Sequence, residues 1–231
     1  MKRVLVFLFA ILGVARAEAQ ILKEKKVVLP DSSILSYLVN QDKINGLYVI
    51  KKGNVDLARG NYVDNQRVGN WYFFNVDKSV FLRYNYDNKK LLFVDNKTLA
   101  LASVAVKSDN EDVNSKASIS MPIFSLEQYL ILATVAAESA VRQDQQDKLN
   151  NKEVQIIAKV DKKGIAQYFL NYEIKGKTYQ DKINLGVNVD WIPASYNGVN
   201  YDSDFSLKTV LSFSKEQGFH RKIDWNRSRS K

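Results

Sequence analysis

Between residues 27 and 106, apolar and polar positions alternate in short runs broken by Gly, Asn and Asp. This is the period-two signature of strands joined by turns. Gly46-Leu47-Tyr48-Val49-Ile50 runs into Lys51-Lys52-Gly53-Asn54. Gly60-Asn61-Tyr62-Val63 runs into Asp64-Asn65-Gln66-Arg67, then Val68-Gly69-Asn70-Trp71-Tyr72-Phe73-Phe74. Leu82-Arg83-Tyr84-Asn85-Tyr86 meets Asp87-Asn88-Lys89-Lys90 before Leu91-Leu92-Phe93-Val94. Each run is a strand entering a polar turn, so the stretch predicts successive antiparallel hairpins. In an alternating strand Trp71 and Phe73 share one face, and Tyr72 and Phe74 the other. One face of a small sheet has to be buried, which favours core packing for these rings. A carbohydrate platform with Arg67 and Arg83 nearby is the alternative.

The period changes after a polar stretch at 107–118, whose composition is that of an interdomain linker. Asp109, Glu111 and Asp112 lie in it, without the spacing or glycine of a calcium loop, so they read as solvated linker. Ser125 is placed to cap a helix, with Gln128 at the capping-box position. Leu126, Tyr129, Leu130, Ala133, Ala137, Ala140 and Val141 then form one helical stripe. The polar residues 142–151 predict fraying or a turn. Val154, Ile156, Ala158 and Val160 alternate with Gln155, Ile157 and Lys159, and Asp161-Lys162-Lys163-Gly164 is a tight turn. The return strand places Ala166, Tyr168, Leu170, Tyr172 and Ile174 on one face. Residues 178–188 fit a short helix through Tyr179, Ile183 and Leu185. Trp191-Ile192-Pro193-Ala194 leads to the Asn197-Gly198 turn, and a last strand alternates Phe205, Leu207, Thr209, Leu211 and Phe213. The expected fold class is α+β: an N-terminal antiparallel hairpin sheet, then a small unit of helix, β-hairpin, short helix and final strand.

Composition narrows the chemistry. The chain has 231 residues, 45% hydrophobic and 26% charged, which suits one or two globular domains. It has no cysteine, which excludes a disulfide scaffold, a thiolate nucleophile, Cys-ligated metal and a lipid anchor on cysteine. Its single histidine excludes His-clustered zinc and most His-dependent triads. The one acid–base constellation is His220 with Asp224 and Glu216, in a basic tail at 216–231, and it reads as solvated rather than catalytic. Lys2 and Arg3 precede an apolar run from Val4 to Ala15, followed by small residues at Ala15, Ala17 and Ala19. We read 1–19 as a cleaved secretory signal, with the mature chain starting at Glu18 or Gln20. Cleavage after Ala19 removes three basic residues and one acidic one, so the net charge falls from +9 to +7 and stays basic. An exported basic protein meets anionic lipid or wall polymer rather than nucleic acid, whose recognition motifs are absent here. The tail, with Trp225, is either a flexible end or a contact for such surfaces.

Two resemblances organise the motifs. Gly60-x-Tyr62, a polar turn, Gly69-x-Trp71-x-Phe73-Phe74 and Tyr84-x-Tyr86 resemble the MORN-like hairpin repeats of bacterial envelope proteins. Pro122-x-Phe124, the Val154-to-Gly164 hairpin, Trp191-x-Pro193-Ala194, Asn197-Gly198 and the last strand resemble the TonB C-terminal domain. The match lacks that domain's glycine pair after P-x-F and its Tyr-Pro dipeptide after the first helix. The segments expected are a signal at 1–19, the hairpin region at 27–106, a linker at 107–118, the TonB-like domain at 119–215 and the tail.

The resemblance implies a non-enzymatic periplasmic adaptor with no metal or cofactor. Its last strand, at Lys208, Thr209, Val210, Leu211 and Ser212, would take up a peptide segment of an envelope protein such as an outer-membrane transporter. Gly60, Tyr62, Gly69, Trp71, Pro122, Phe124, Gly164, Trp191, Pro193 and Gly198 are read as scaffold. With three prolines, two of them in these motifs, the chain has no rigid Pro-rich spacer and is not expected to transmit force. The alternative is a structural or surface-binding envelope protein with no transport role.

Overall fold

A computed structural model describes residues 22–213. The leader and the basic tail, including His220, Asp224 and Trp225, lie outside the described residues. The N-terminal region is a meander of seven strands, β1 (Lys23–Val28), β2 (Ile34–Asn40), β3 (Lys43–Lys52), β4 (Val55–Val63), β5 (Gln66–Phe74), β6 (Val80–Asn85) and β7 (Lys90–Val94). They form one antiparallel sheet in chain order. The turns follow from the polar punctuation. Gln41-Asp42 and Asp64-Asn65 adopt positive φ as two-residue loops, whose twist matches that of the strands they join. The second loop is also tied sideways, since Ile44 donates its amide to Asn65 Oδ1 at 2.7 Å.

One contact sets the inner face of this sheet. Trp71 is 1% exposed and its indole lies flat on Gly60, where an added Cβ would sit 2.2 Å from the ring. Tyr48 and Tyr62 close on the same indole, each with its centroid 5.3 Å away. Phe73, also 1% exposed, extends the layer. The rings Trp71 and Phe73 are therefore core, while Tyr72 and Phe74 stand on the opposite face, as the alternation requires.

A short helix α1 (Asn96–Leu99) precedes β8 (Ser103–Val106), α2 (Glu111–Lys116) and the two-residue β9 (Met121–Pro122). Helix α3 (Leu126–Ala140) begins at Ser125, whose hydroxyl accepts from the Gln128 amide. It stops at Val141, and the polar stretch after it forms α4 (Gln143–Leu149). There follow β10 (Glu153–Val160), β11 (Ala166–Ile174), β12 (Lys177–Ile183), β13 (Trp191–Ile192), β14 (Ala194–Tyr196), β15 (Val199–Tyr201) and β16 (Ser203–Val210). The second sheet has the order β12-β11-β10-β16-β8, with β13 paired to β9 and β14 to β15 in small ladders. Val154, Ile156, Ala158, Val160, Leu170, Phe205 and Leu207 are buried on its inner face against the stripe of α3.

This architecture corrects the α+β expectation. Strands hold 52% of the described residues and helices 17%, so the chain is β-rich, built on antiparallel sheets of seven and five strands. The short helix expected at 178–188 is instead largely the strand β12. Lys175-Gly176 takes positive φ as a two-residue turn, so the chain after it folds back on β11 with Ile174 opposite Lys177. The polar linker expected at 107–118 holds α2, capped by Asn110 and anchored by Val113 at 3% exposure. Glu111 and Asp112 sit in its first turn, where the helix dipole favours acids.

The two sheets share one continuous core. Phe73 meets Phe124 at 6.3 Å between centroids, and Gln128 Nε2 donates to Ser33 Oγ at 3.0 Å. The Val76 amide donates to the Glu127 carboxylate.

Gly60→Ala should destabilise the protein by about 1–3 kcal/mol, because the indole and the new methyl compete for one volume. Chemical denaturation of the two proteins measures it. A cost near zero would mean that Trp71 is free to move off its glycine.

Candidate functional site

The motif residues of the C-terminal part converge. Pro122 pairs with Trp191 between β9 and β13, so the P-x-F and W-x-P segments meet as one ladder. Trp191 packs edge-on to Tyr129 at 5.7 Å and Phe205 at 5.1 Å, and donates its indole N–H to the Tyr168 hydroxyl at 3.0 Å. Gly164 lies under this segment: an added Cβ would meet the Trp191 carbonyl oxygen at 2.6 Å and Pro193 at 3.7 Å. Asn197-Gly198 is the two-residue turn between β14 and β15, both at positive φ. Phe124 is 4% exposed. These residues build the framework of the second sheet.

The strand expected to accept a peptide is β16, which lies between β10 and β8. β8 pairs with Ser203–Ser206 and so covers none of the expected segment Lys208–Ser212. Lys208, Thr209 and Val210 continue past the end of β8 with β10 on one side, and Lys208 pairs with Glu153 at 2.8 Å. Leu211 and Ser212 follow the strand and are bonded in place. The Leu211 amide donates to the Lys152 carbonyl, and the Ser212 amide to Glu138 Oε1.

The full-length outer strand of this sheet is β12. Its Thr178, Gln180 and Lys182 lie on the outer face, while Tyr179, Asp181 and Ile183 face inward. Tyr179 stacks on Tyr172 at 5.3 Å. Two open grooves meet at its C-terminal end. One, of about 390 Å³, lies between α3 and β12 and is lined by Leu132, Val135, Ala136, Ala140, Ile183 and Leu185 with a few polar groups. The other, of about 470 Å³, lies between the start of β11 and the end of β12, lined by Ala166, Gln167, Tyr168, Lys182, Ile183 and Asn184. An outer strand offers unpaired amides and carbonyls along one side, and the apolar groove offers a seat for a side chain.

A second constellation joins the sheets. Arg67 stacks on Trp71, its guanidinium carbon 4.8 Å from the ring centroid. It donates to the Tyr62 hydroxyl at 3.0 Å, the Tyr86 hydroxyl at 2.6 Å and Asp190 Oδ2 at 2.7 Å. Tyr86 in turn donates to the same carboxylate at 2.9 Å. Burial opposes the charge on Arg67, but Tyr86, Asp190 and Tyr62 outweigh it and hold the guanidinium above its ordinary pKa. The guanidinium, both hydroxyls and the carboxylate form one connected network, so the cluster serves as a clasp. Its partners were missed in the sequence, although Asp190 stands immediately before the Trp191 motif.

Among the described residues no group of three or more His, Asp or Glu side chains is placed to hold a metal ion. No protein-family model, curated protein or solved structure matches the chain.

Burial, then the neighbouring Tyr62, pushes the Tyr48 phenol up to about 12. Burial likewise raises Tyr86 and Tyr129. The fold therefore prefers the neutral phenols, while an unfolded tyrosine titrates near ~10. The stabilisation is complete below the unfolded value and is lost as pH climbs through the folded one. Thermal melts should stay level to about pH 10 and fall steeply between about pH 10 and 12, less steeply in Tyr48→Phe. An identical fall in that variant would remove Tyr48 from the account.

Proposed function

We propose that this chain is a non-enzymatic envelope binding protein that takes up an extended segment of a partner protein along β12. The observation that carries the reading is an outer strand of seven residues ending between two grooves, one of them mainly apolar. Backbone pairing to β12 supplies sequence-tolerant affinity, and an apolar side chain seated on Val135, Ala136 and Leu185 supplies selection. Lys177 and Lys182 keep the strand from pairing indiscriminately with its own copies.

Support for an envelope setting comes from the leader-like run at Val4–Ala15 and from the motifs shared with TonB C-terminal domains. In that setting the partner is an envelope protein, such as an outer-membrane transporter, and the role is that of an adaptor linked to transport. The meeting of Pro122, Gly164 and Trp191 in one framework supports treating those motifs as a unit. We place the uptake site on β12 rather than on Lys208–Ser212 because β12 is the outer strand along its whole length, whereas β16 lacks a partner on its β8 side only past Ser206, and the chain after it is bonded in place.

The test is a random-peptide selection against the full chain, followed by amide hydrogen exchange of the complex. Selected peptides should be extended, carry an apolar anchor, and slow exchange across Lys177–Ile183. Ala136→Phe fills the groove and should weaken binding roughly tenfold, about 1.4 kcal/mol, with its melting temperature retained. Protection confined to Leu207–Val210, or binding indifferent to Ala136→Phe, would overturn the β12 assignment.

A further inference from the structure

The outer face of the seven-stranded sheet carries a row of side chains that the clasp and the peptide site leave unused. Strand register sets Val49 opposite Arg59, Arg59 opposite Tyr72, Tyr72 opposite Arg83, and Arg83 opposite Phe93. Residues directly opposite on neighbouring strands project from the same face. Arginine and aromatic ring thus alternate across β4, β5, β6 and β7, with the two guanidinium-bearing strands about 10 Å apart.

From Arg59 to Phe93 the row is partly or fully exposed and electrically unbalanced, whereas Val49 at its start is buried. Arg59 and Arg83 are exposed, and Phe93 is 47% exposed. Neither arginine forms an ion pair among the described residues. Three lysines of the same sheet are matched: Lys51 lies 3.4 Å from Asp56, Lys26 3.4 Å from Glu24 and Lys43 3.3 Å from Asp64. Arg59 is nonetheless held in position. Its guanidinium carbon lies 5.7 Å from the centre of Tyr72 and 6.0 Å from that of Phe74, and the two rings are nearly parallel, 17° apart with centroids 6.4 Å apart. Such stacking orients a guanidinium without neutralising it, leaving its forked donors for an outside acceptor.

We infer that this face binds a linear anionic polysaccharide, with carboxylates of alternate acidic sugars taken by Arg59 and Arg83 and a sugar ring resting on Phe93. The planar fork of arginine matches a carboxylate in two parallel hydrogen bonds. The apolar face of a sugar ring stacks on an aromatic face, which the exposed Phe93 supplies. A nucleic acid fits less well, because its successive bases need successive free ring faces for stacking, and the rings of Tyr72 and Phe74 are shared with Arg59. The proposal stands apart from the β12 reading, since the two sites occupy different sheets.

The probe is a polygalacturonate oligosaccharide titrated against the full chain, with a neutral glucan, single-stranded DNA and phosphatidylglycerol vesicles as comparators. The uronate should bind with a salt-sensitive affinity and the glucan should not. Arg59→Gln with Arg83→Gln should reduce uronate affinity at least tenfold. A charge-matched control, Lys163→Gln with Lys175→Gln on turns of the other sheet, should leave it within twofold. Arg59→Lys, which keeps charge and fold, should lose most of the Arg59 contribution, so a misfolded double variant does not end the test. Equal loss in the lysine control would show attraction to net charge alone. Tighter binding of DNA or vesicles through the same two arginines would assign the face to those ligands instead, and absence of uronate binding would end the proposal.

Discussion

The seating of Trp71 on Gly60 is the constraint on which the rest of the structure depends. With no Cβ at residue 60, the indole lies against the backbone of β4, and Tyr62 of that strand and Tyr48 of β3 pack onto it. The opposite side of the indole is then free to carry Arg67. Arg67 reaches Asp190, and Asp190 leads directly into the strand of Trp191. A glycine in the first sheet is in this way connected, through one ring and one guanidinium, to the framework of the second. The clasp is strong in geometry but half-exposed at Asp190, so most of the union of the sheets comes from apolar contact through Phe73 and Phe124.

That union decides which edges remain. Because β8 crosses to the second sheet, it caps the first half of β16, and the full-length outer strand becomes β12. Because the inner face of the first sheet is filled by its own rings and by Phe124, the opposite face carries Tyr72, Phe74, Arg59 and Arg83. The proposed peptide site and polysaccharide face both lie where two β-sheets with one shared core leave an edge and a face uncovered.

Much of the local structure was legible in the chain. The split of Trp71 and Phe73 from Tyr72 and Phe74, the Ser125 cap, the stripe of α3 and the hairpin turning at Gly164 all follow from periods of two or 3.6 residues and from turn chemistry. The helix expected around Tyr179 failed because residues 179 and 183 satisfy both periods. The Lys175-Gly176 turn, a weaker signal than Asn-Gly, settles the matter by returning the chain onto β11. The polar run at 107–118 misled because one buried residue, Val113, is enough to dock a short helix.

By itself, then, the sequence determined the turns, the strand faces and the residues that fill the core. These depend on neighbours a few positions away and on the small set of backbone conformations open to Gly, Asn and Asp. The tertiary structure alone decided the strand order of the second sheet, the pairing of Arg67 with Asp190, and the alignment of Arg59, Tyr72, Arg83 and Phe93 in one row. Register between strands is a long-range property, fixed by which faces must be buried together, and no local pattern in a single chain encodes it.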